Sequence, residues 1–165
     1  MRGFRSSFER TAVLAVITIC IFAATATAQT YEILASFNSP GVGPSGSLIQ
    51  GTDGNLYGTT ESGGAGAGGT IFKIDTNGST LTTLHSFAYS DGASPHALIQ
   101  ATDGNLYGTT LQGGANGQGT IFKIDTNGTT LTTLHNFVNS DGANPTAGLI
   151  QGTDENLYGT TQGGG

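Results

Sequence analysis

Along this chain, hydrophobic and polar positions alternate in short runs that clusters of glycine, asparagine and aspartate interrupt. In TIFKID (Thr70–Asp75), Phe72 and Ile74 point one way on an extended backbone while Ile71, Lys73 and Asp75 point the other, the lysine marking the wetter face. In TLTTLHSF (Thr80–Phe87), Leu81, Thr83, His85 and Phe87 share a face against Thr82, Leu84 and Ser86. Both faces carry apolar residues, as in a sheet packed between neighbouring sheets. With Ser47–Gly51 and Leu56–Thr60, these runs predict four antiparallel strands. Their connections are the turn Thr52-Asp53-Gly54-Asn55, the flexible glycine-rich loop Ser62–Gly69, the hairpin dipeptide in Thr76-Asn77-Gly78 and an exit turn at Ser90–Pro95.

The same pattern returns down the chain. TDGNLYGTT stands at Thr52–Thr60 and Thr102–Thr110, and TDENLYGTT at Thr153–Thr161. GTIFKIDTNG occurs at Gly69–Gly78 and Gly119–Gly128, and TLTTLH at Thr80–His85 and Thr130–His135. One inserted residue near Ala147-Gly148 falls in a loop, where it costs little. Four strands with a period of about 40–50 residues indicate a propeller blade. The predicted fold is all-β: tandem four-stranded antiparallel repeats as propeller-like blades in an incomplete, open array, preceded by an N-terminal signal helix. A β-solenoid or prism is the alternative. The units run from about 38–95 and 96–145 to a truncated 146–165 within a repeat domain of residues 29–165. Tyr31–Phe37 (YEILASF) resembles the last strand of a unit and would complete the final blade of a closed ring. The sequence ends at Gln162–Gly165, inside a loop after which GTIFKID is due, and so reads as a fragment; closure by oligomerisation is the other expectation. Open strand edges would favour self-association.

The N-terminus changes the picture of where the protein works. Arg2, Arg5 and Arg10 flank the apolar run Thr11–Ala24, and Ala26-Thr27-Ala28 offers a cleavage site, which predicts a signal peptide over residues 1–28. The run is shorter than the ~20 residues a spanning helix needs, so no stable membrane insertion is expected after cleavage. Cys20, the one cysteine, lies within this segment, and the mature chain would have no disulfide. Cleavage would leave Lys73 and Lys123 against ten acidic residues, a net charge of −8. That balance excludes a nucleic-acid partner, which requires clustered basic residues.

Candidate chemistry is sparse. His85 and His135 occupy equivalent positions and read as half-buried strand residues rather than metal ligands; His96 is replaced by Thr146 in the next unit. Asp53, Asp103, Asp154, Asp91 and Asp141 recur singly before Gly or Glu, unlike a calcium loop, and each is expected to bond its own backbone two residues on. Asn77-Gly78-Ser79 and Asn127-Gly128-Thr129 match the glycosylation pattern but fall on hairpin turns. No catalytic residue, cofactor or metal is expected. Tyr57, Tyr107 and Tyr158 are the candidate binding residues, either packed within strands or presented with threonine to a glycan or peptide. Glu155 stands where the other copies have Gly54 and Gly104, which predicts a turn with Asn156 at positive φ and Glu155 at negative φ.

Across LYGTT, the glycine-rich loop, GTIFKI, NG and LTTLHSF, the sequence resembles the GloVer tandem repeat of bacterial choice-of-anchor surface proteins. The resemblance covers nearly all of Tyr31–Gly165 and implies an exported bacterial repeat protein, often with a C-terminal anchoring segment and with no established activity. It supplies no catalytic residues. The expected function is a secreted or cell-surface, non-enzymatic structural or interaction module with an extracellular protein or glycan as partner. The alternative is a fragment of a carbohydrate-active or lyase-type propeller enzyme.

Overall fold

The computed structural model describes Ile33, Ala35, Ser36 and residues 41–165. The signal segment 1–28 and its helix lie outside the described residues, as does most of Tyr31–Phe37, whose described members are in no strand. Among the described residues there are ten strands and no helix. The first sheet is β1 (Gly41–Gln50), β2 (Leu56–Gly63), β3 (Thr70–Ile74) and β4 (Leu81–Ser86), in that order. The second repeats it with β5 (Ala93–Gln100), β6 (Leu106–Gln112), β7 (Thr120–Ile124) and β8 (Leu131–Asn136). A third, two-stranded sheet pairs β9 (Ile150–Gln151) with β10 (Leu157–Tyr158). Every strand pair is antiparallel, and the array is open.

Register decides which side chains share a face, because residues directly opposite one another project to the same side. Leu56 faces Ile74, Gly58 faces Phe72 and Thr60 faces Thr70, so these form one face of the first sheet. Tyr57, Thr59, Ile71 and Lys73 form the other. The second sheet repeats the register, with Gly108 opposite Phe122 and Leu106 opposite Ile124. The Tyr57–Ile71 face of the first sheet packs on the Leu106–Phe122 face of the second. Tyr57, Ile71, Leu84, Phe87, Leu98, Leu106, Phe122 and Ile124 make that core. The Phe87 and Phe122 rings meet at 5.2 Å between centroids.

Four details correct the expectations. The alternation in TLTTLHSF breaks at a bulge: Ile71 faces His85 while Phe72 faces Thr83. Leu84 is the extra residue. Thr83 and His85 therefore lie on opposite faces, and Leu84 turns into the core. Lys73 lies on the face that the second sheet covers, and its amine reaches the rim to donate to the Thr126 carbonyl at 3.4 Å. The exit turn is shorter than Ser90–Pro95, because Ala93 and Pro95 already pair with Gln112 and Thr110 in β5. Pro95 is tolerated there since β5 is an edge strand with a register shift following. Finally, the glycine-rich loop is a defined connection rather than a free one: Gly69 N donates to Gly63 O at 2.9 Å and Gly68 N to Phe87 O at 2.9 Å.

Candidate functional site

The recurrent TD(G/E)NLY stretch builds the same joint three times. Gly54 N donates to Gly51 O at 2.9 Å, and Gly51 N donates to Asn55 O at 2.9 Å. This is a three-residue hairpin loop closed by a left-handed residue. That residue is Gly54 (φ 82°), Gly104 (φ 80°) and Glu155 (φ 66°), so Glu155 and not Asn156 takes positive φ. The correction has a physical cause. Each asparagine already closes the loop through its backbone, and the aspartate fixes it: Asn55 N donates to Asp53 Oδ1 at 3.1 Å and its side-chain amide to Oδ2 at 2.7 Å. The left-handed position must then fall one residue earlier.

The aspartate also holds the tyrosine. Tyr57 Oη donates to Asp53 Oδ2 at 2.7 Å, Tyr107 to Asp103 at 2.8 Å and Tyr158 to Asp154 at 2.7 Å. Burial raises the Asp53 carboxyl, but hydrogen bonds from Asn55 and Tyr57 outweigh it and hold Asp53 below the usual carboxylate range. Asp103 and Asp154 are lowered chiefly by the hydrogen bonds of Asn105 and Tyr158 respectively. Burial, then the neighbouring Asp53 and Asp103, push the Tyr57 and Tyr107 phenols up. The phenols are protonated donors at neutral pH.

Although the three tyrosines share sequence and hydrogen bonds, their surroundings differ. Tyr57 is 0% exposed beneath the second sheet, Tyr107 is half-buried, and Tyr158 at the end of the array is 50% exposed. Each sits in its own hairpin with its own aspartate. The joint is closed by a residue that sequence reasoning overlooked. Gln100 of the second unit accepts from Thr52 N of the first at 2.8 Å, while its amide donates to Gly104 O at 2.9 Å. Gln151 repeats this towards Thr102 N at 2.9 Å and Glu155 O at 3.1 Å. The signal was present as the invariant LIQ ahead of each TD turn.

Histidine and the remaining acids form a second repeated set. His85 Nε2 lies 2.9 Å from Asp91 Oδ2, and His135 Nε2 lies 3.2 Å from Asp141 Oδ2. Both histidines are half-buried. Asp91 and Asp141 do not bond two residues on, as expected; they accept from Ala88 N and Val138 N, three residues back. Asp75 and Asp125 cap the β3–β4 and β7–β8 turns, accepting from Ser79 N and from Asn127 N at 2.8 Å each. His96 Nε2 is buried with no hydrogen-bond partner among the described residues. Among those residues no group of three or more His, Cys, Asp or Glu is gathered as for a metal ion.

The second inter-sheet gap contains a cavity of about 260 Å³. Ile121 and Phe137 line it from one side and Leu149, Leu157, Gly159 and Thr161 from the other. Thr109, Asp141, Pro145 and Thr160 complete its lining, which is mixed apolar and polar.

Sheets of one design, joined at each step by the same turn, tyrosine and glutamine, define a tandem-repeat β protein. The family model of the Gloeobacter/Verrucomicrobia repeat matches residues 18–165, and the chain belongs to that family. No curated protein matches the chain.

Proposed function

We propose that this chain is an exported structural and interaction module without enzymatic activity, its sheets forming propeller-like blades. The observation that carries the reading is the commitment of its recurrent polar groups. The Asp–Asn–Tyr set and the glutamine of each unit are spent on loop closure and on the joint to the next sheet. General acid–base catalysis needs carboxylates whose environments drive their pKa values apart, and Asp53, Asp103 and Asp154 are all shifted the same way. The blade arrangement is supported by the close approach of β1, β5 and the bend ahead of β9: a Cβ at Gly46 would lie 3.1 Å from the Ala97 backbone, and one at Gly148 would lie 3.1 Å from Ala97 Cβ. The membership of the repeat family fits a choice-of-anchor surface protein, and the Arg-flanked apolar segment before Ala28 fits export.

The test has two arms. Fused to a reporter that is active only after export, residues 1–28 should yield activity, and the mature chain should begin at Gln29. Purified protein incubated with neutral and acidic polysaccharides should release neither reducing ends nor unsaturated products. Retention of the reporter inside the cell would overturn the export reading, and sustained turnover would overturn the non-enzymatic one.

A further inference from the structure

The turns between the third and fourth strands of the two complete sheets are held without help from their asparagine side chains. Gly78 N donates to Asp75 O at 3.0 Å and Gly128 N to Asp125 O at 3.1 Å, closing both turns. The left-handed step falls on Gly78 (φ 69°) and Gly128 (φ 74°), where glycine takes it without strain. The Asp75 carboxylate fixes the exit, accepting from Ser79 N at 2.8 Å and from Ser79 Oγ at 2.5 Å. Asp125 does the same with Thr129, accepting from its N at 3.3 Å and from Oγ1 at 3.1 Å. Asn77 and Asn127 stand between these fixed points. Both are exposed, and their side-chain amides make no hydrogen bond among the described residues.

Asparagine is used differently elsewhere in the repeat. The Asn55 and Asn105 amides donate to Asp53 and Asp103 at 2.7 Å each, and Asn116 and Asn144 donate to the Phe137 and Leu111 carbonyls at 3.2 and 3.1 Å. Turn and loop closure account for those side chains but give Asn77 and Asn127 no task. These two each head an Asn-x-Ser/Thr triplet, Asn77-Gly78-Ser79 and Asn127-Gly128-Thr129, with an aspartate two residues before. A further asparagine with threonine at that spacing, Asn144-Pro145-Thr146, is excluded by its central proline. Around Asn127 both neighbours are committed to the first sheet: Thr126 O accepts from Lys73 Nζ at 3.4 Å, and a Cβ on Gly128 would lie 2.7 Å from Leu84 O. The asparagine between them is still exposed.

We propose that Asn77 and Asn127 are acceptor sites for an N-linked glycan, one on each complete sheet. The donor class is an oligosaccharide carried on a polyprenyl diphosphate. Asparagine Nδ2 bonds to the anomeric carbon of the first sugar as the bond from that carbon to the diphosphate breaks. The diphosphate leaves with its electron pair, and the amide proton passes to a base of the transferase. The hydroxyl that such a transferase reads belongs to Ser79 or Thr129, both exposed, and rotation about one side-chain bond turns it away from the aspartate. Both turns lie at the end of their sheets that carries the first-to-second-strand loops, because alternate connections of an antiparallel meander share an end. A bulky, hydrophilic group is accommodated there at the surface. Access to donor and transferase in the cell rests on the export reading, but the acceptor geometry does not.

The experiment incubates the purified, folded full chain with a bacterial oligosaccharyltransferase and an undecaprenyl-diphosphate-linked oligosaccharide, so that export plays no part in it. Mass spectrometry of the intact chain and of its peptides should show glycan on Asn77 and on Asn127 and on no other residue. Asn77→Gln and Asn127→Gln should each remove the glycan of that site alone. Ser79→Ala and Thr129→Ala keep the asparagine and should strip the glycan from the site beside them. Ser79→Thr and Thr129→Ser keep the hydroxyl and its bond to the aspartate, and should keep the glycan. The proposal is overturned by absence of glycan from the unaltered chain, by glycan that appears only after the chain is unfolded, or by deamidation at Asn77 and Asn127 in place of glycan. Each of those results leaves the export reading standing, since the reporter fusion tests that reading separately.

Discussion

Gly54, Gly104 and Glu155 occupy one left-handed position with one hydrogen-bond pattern, but only glycine meets it without strain. A non-glycine residue held there costs on the order of 1 kcal/mol. A Cβ on Gly104 would meet nothing within 4 Å, so substitution there is free of packing terms. Gly104→Ala should therefore lower stability by about 1 kcal/mol, and Glu155→Gly should raise that of the third hairpin by a similar amount. Thermal denaturation of the first and amide exchange of the second measure these effects; an unchanged Gly104→Ala melt would show that the loop relaxes. The sequence carried the position, through the Gly-to-Glu replacement, but not the conformation. Asparagine and glycine are adjacent in the motif and both tolerate positive φ, so local preference could not choose between them; the closing bond to Asn156 O did.

At the level of the element, strand order, hairpin pairing and the four-strand unit were legible from alternation and turn residues. The bulge was not, because TLTTLH reads as a regular strand and carries no residue that marks the register shift between Ile71 and Phe72. The same bulge recurs in the second sheet, so what its extra leucine meets depends on what lies over it. Leu84 and Leu134 are the same residue of the same motif, yet Leu84 is 9% exposed and Leu134 is 49% exposed. The β7–β8 turn covers Leu84: a Cβ on Gly128 would lie 2.7 Å from Leu84 O. Leu84→Ala should cost about 2–5 kcal/mol, as core truncations do, whereas Leu134→Ala should stay within about 0.5 kcal/mol. Chemical denaturation of the two variants compares them directly, and equal losses would mean that the sheets do not stack as described.

For the whole molecule, the repeated carboxylates set the pH range of stability. Asp53, Asp75, Asp103, Asp125 and Asp154 are all held below the usual carboxylate value in the folded chain. Their contribution is present above the unfolded value and is lost as pH falls through the lower folded one. The melting midpoint should therefore decline below about pH 4. Tyr57 and Tyr107 shift the other way, upward. Their contribution is complete below the unfolded tyrosine value and lost as pH rises through the folded one, so a second decline should begin above about pH 10. Melting curves from acid to alkaline buffers test both arms; a midpoint level across either limit would contradict the Asp–Tyr joint.

Three tyrosines in one motif looked equivalent in the sequence, as either packing residues or a presented ring. Periodicity and turn chemistry by themselves determined the all-β class, the four-strand antiparallel unit and the position of the TD(G/E)N turns, because each depends on residues close along the chain. Which copy of a residue is buried depends on whether another sheet lies over it. The tertiary structure alone decided that Tyr57 is enclosed and that Tyr158 stands half exposed. Burial is a property of stacked neighbours about one repeat away, and identical local sequence cannot encode a difference between them.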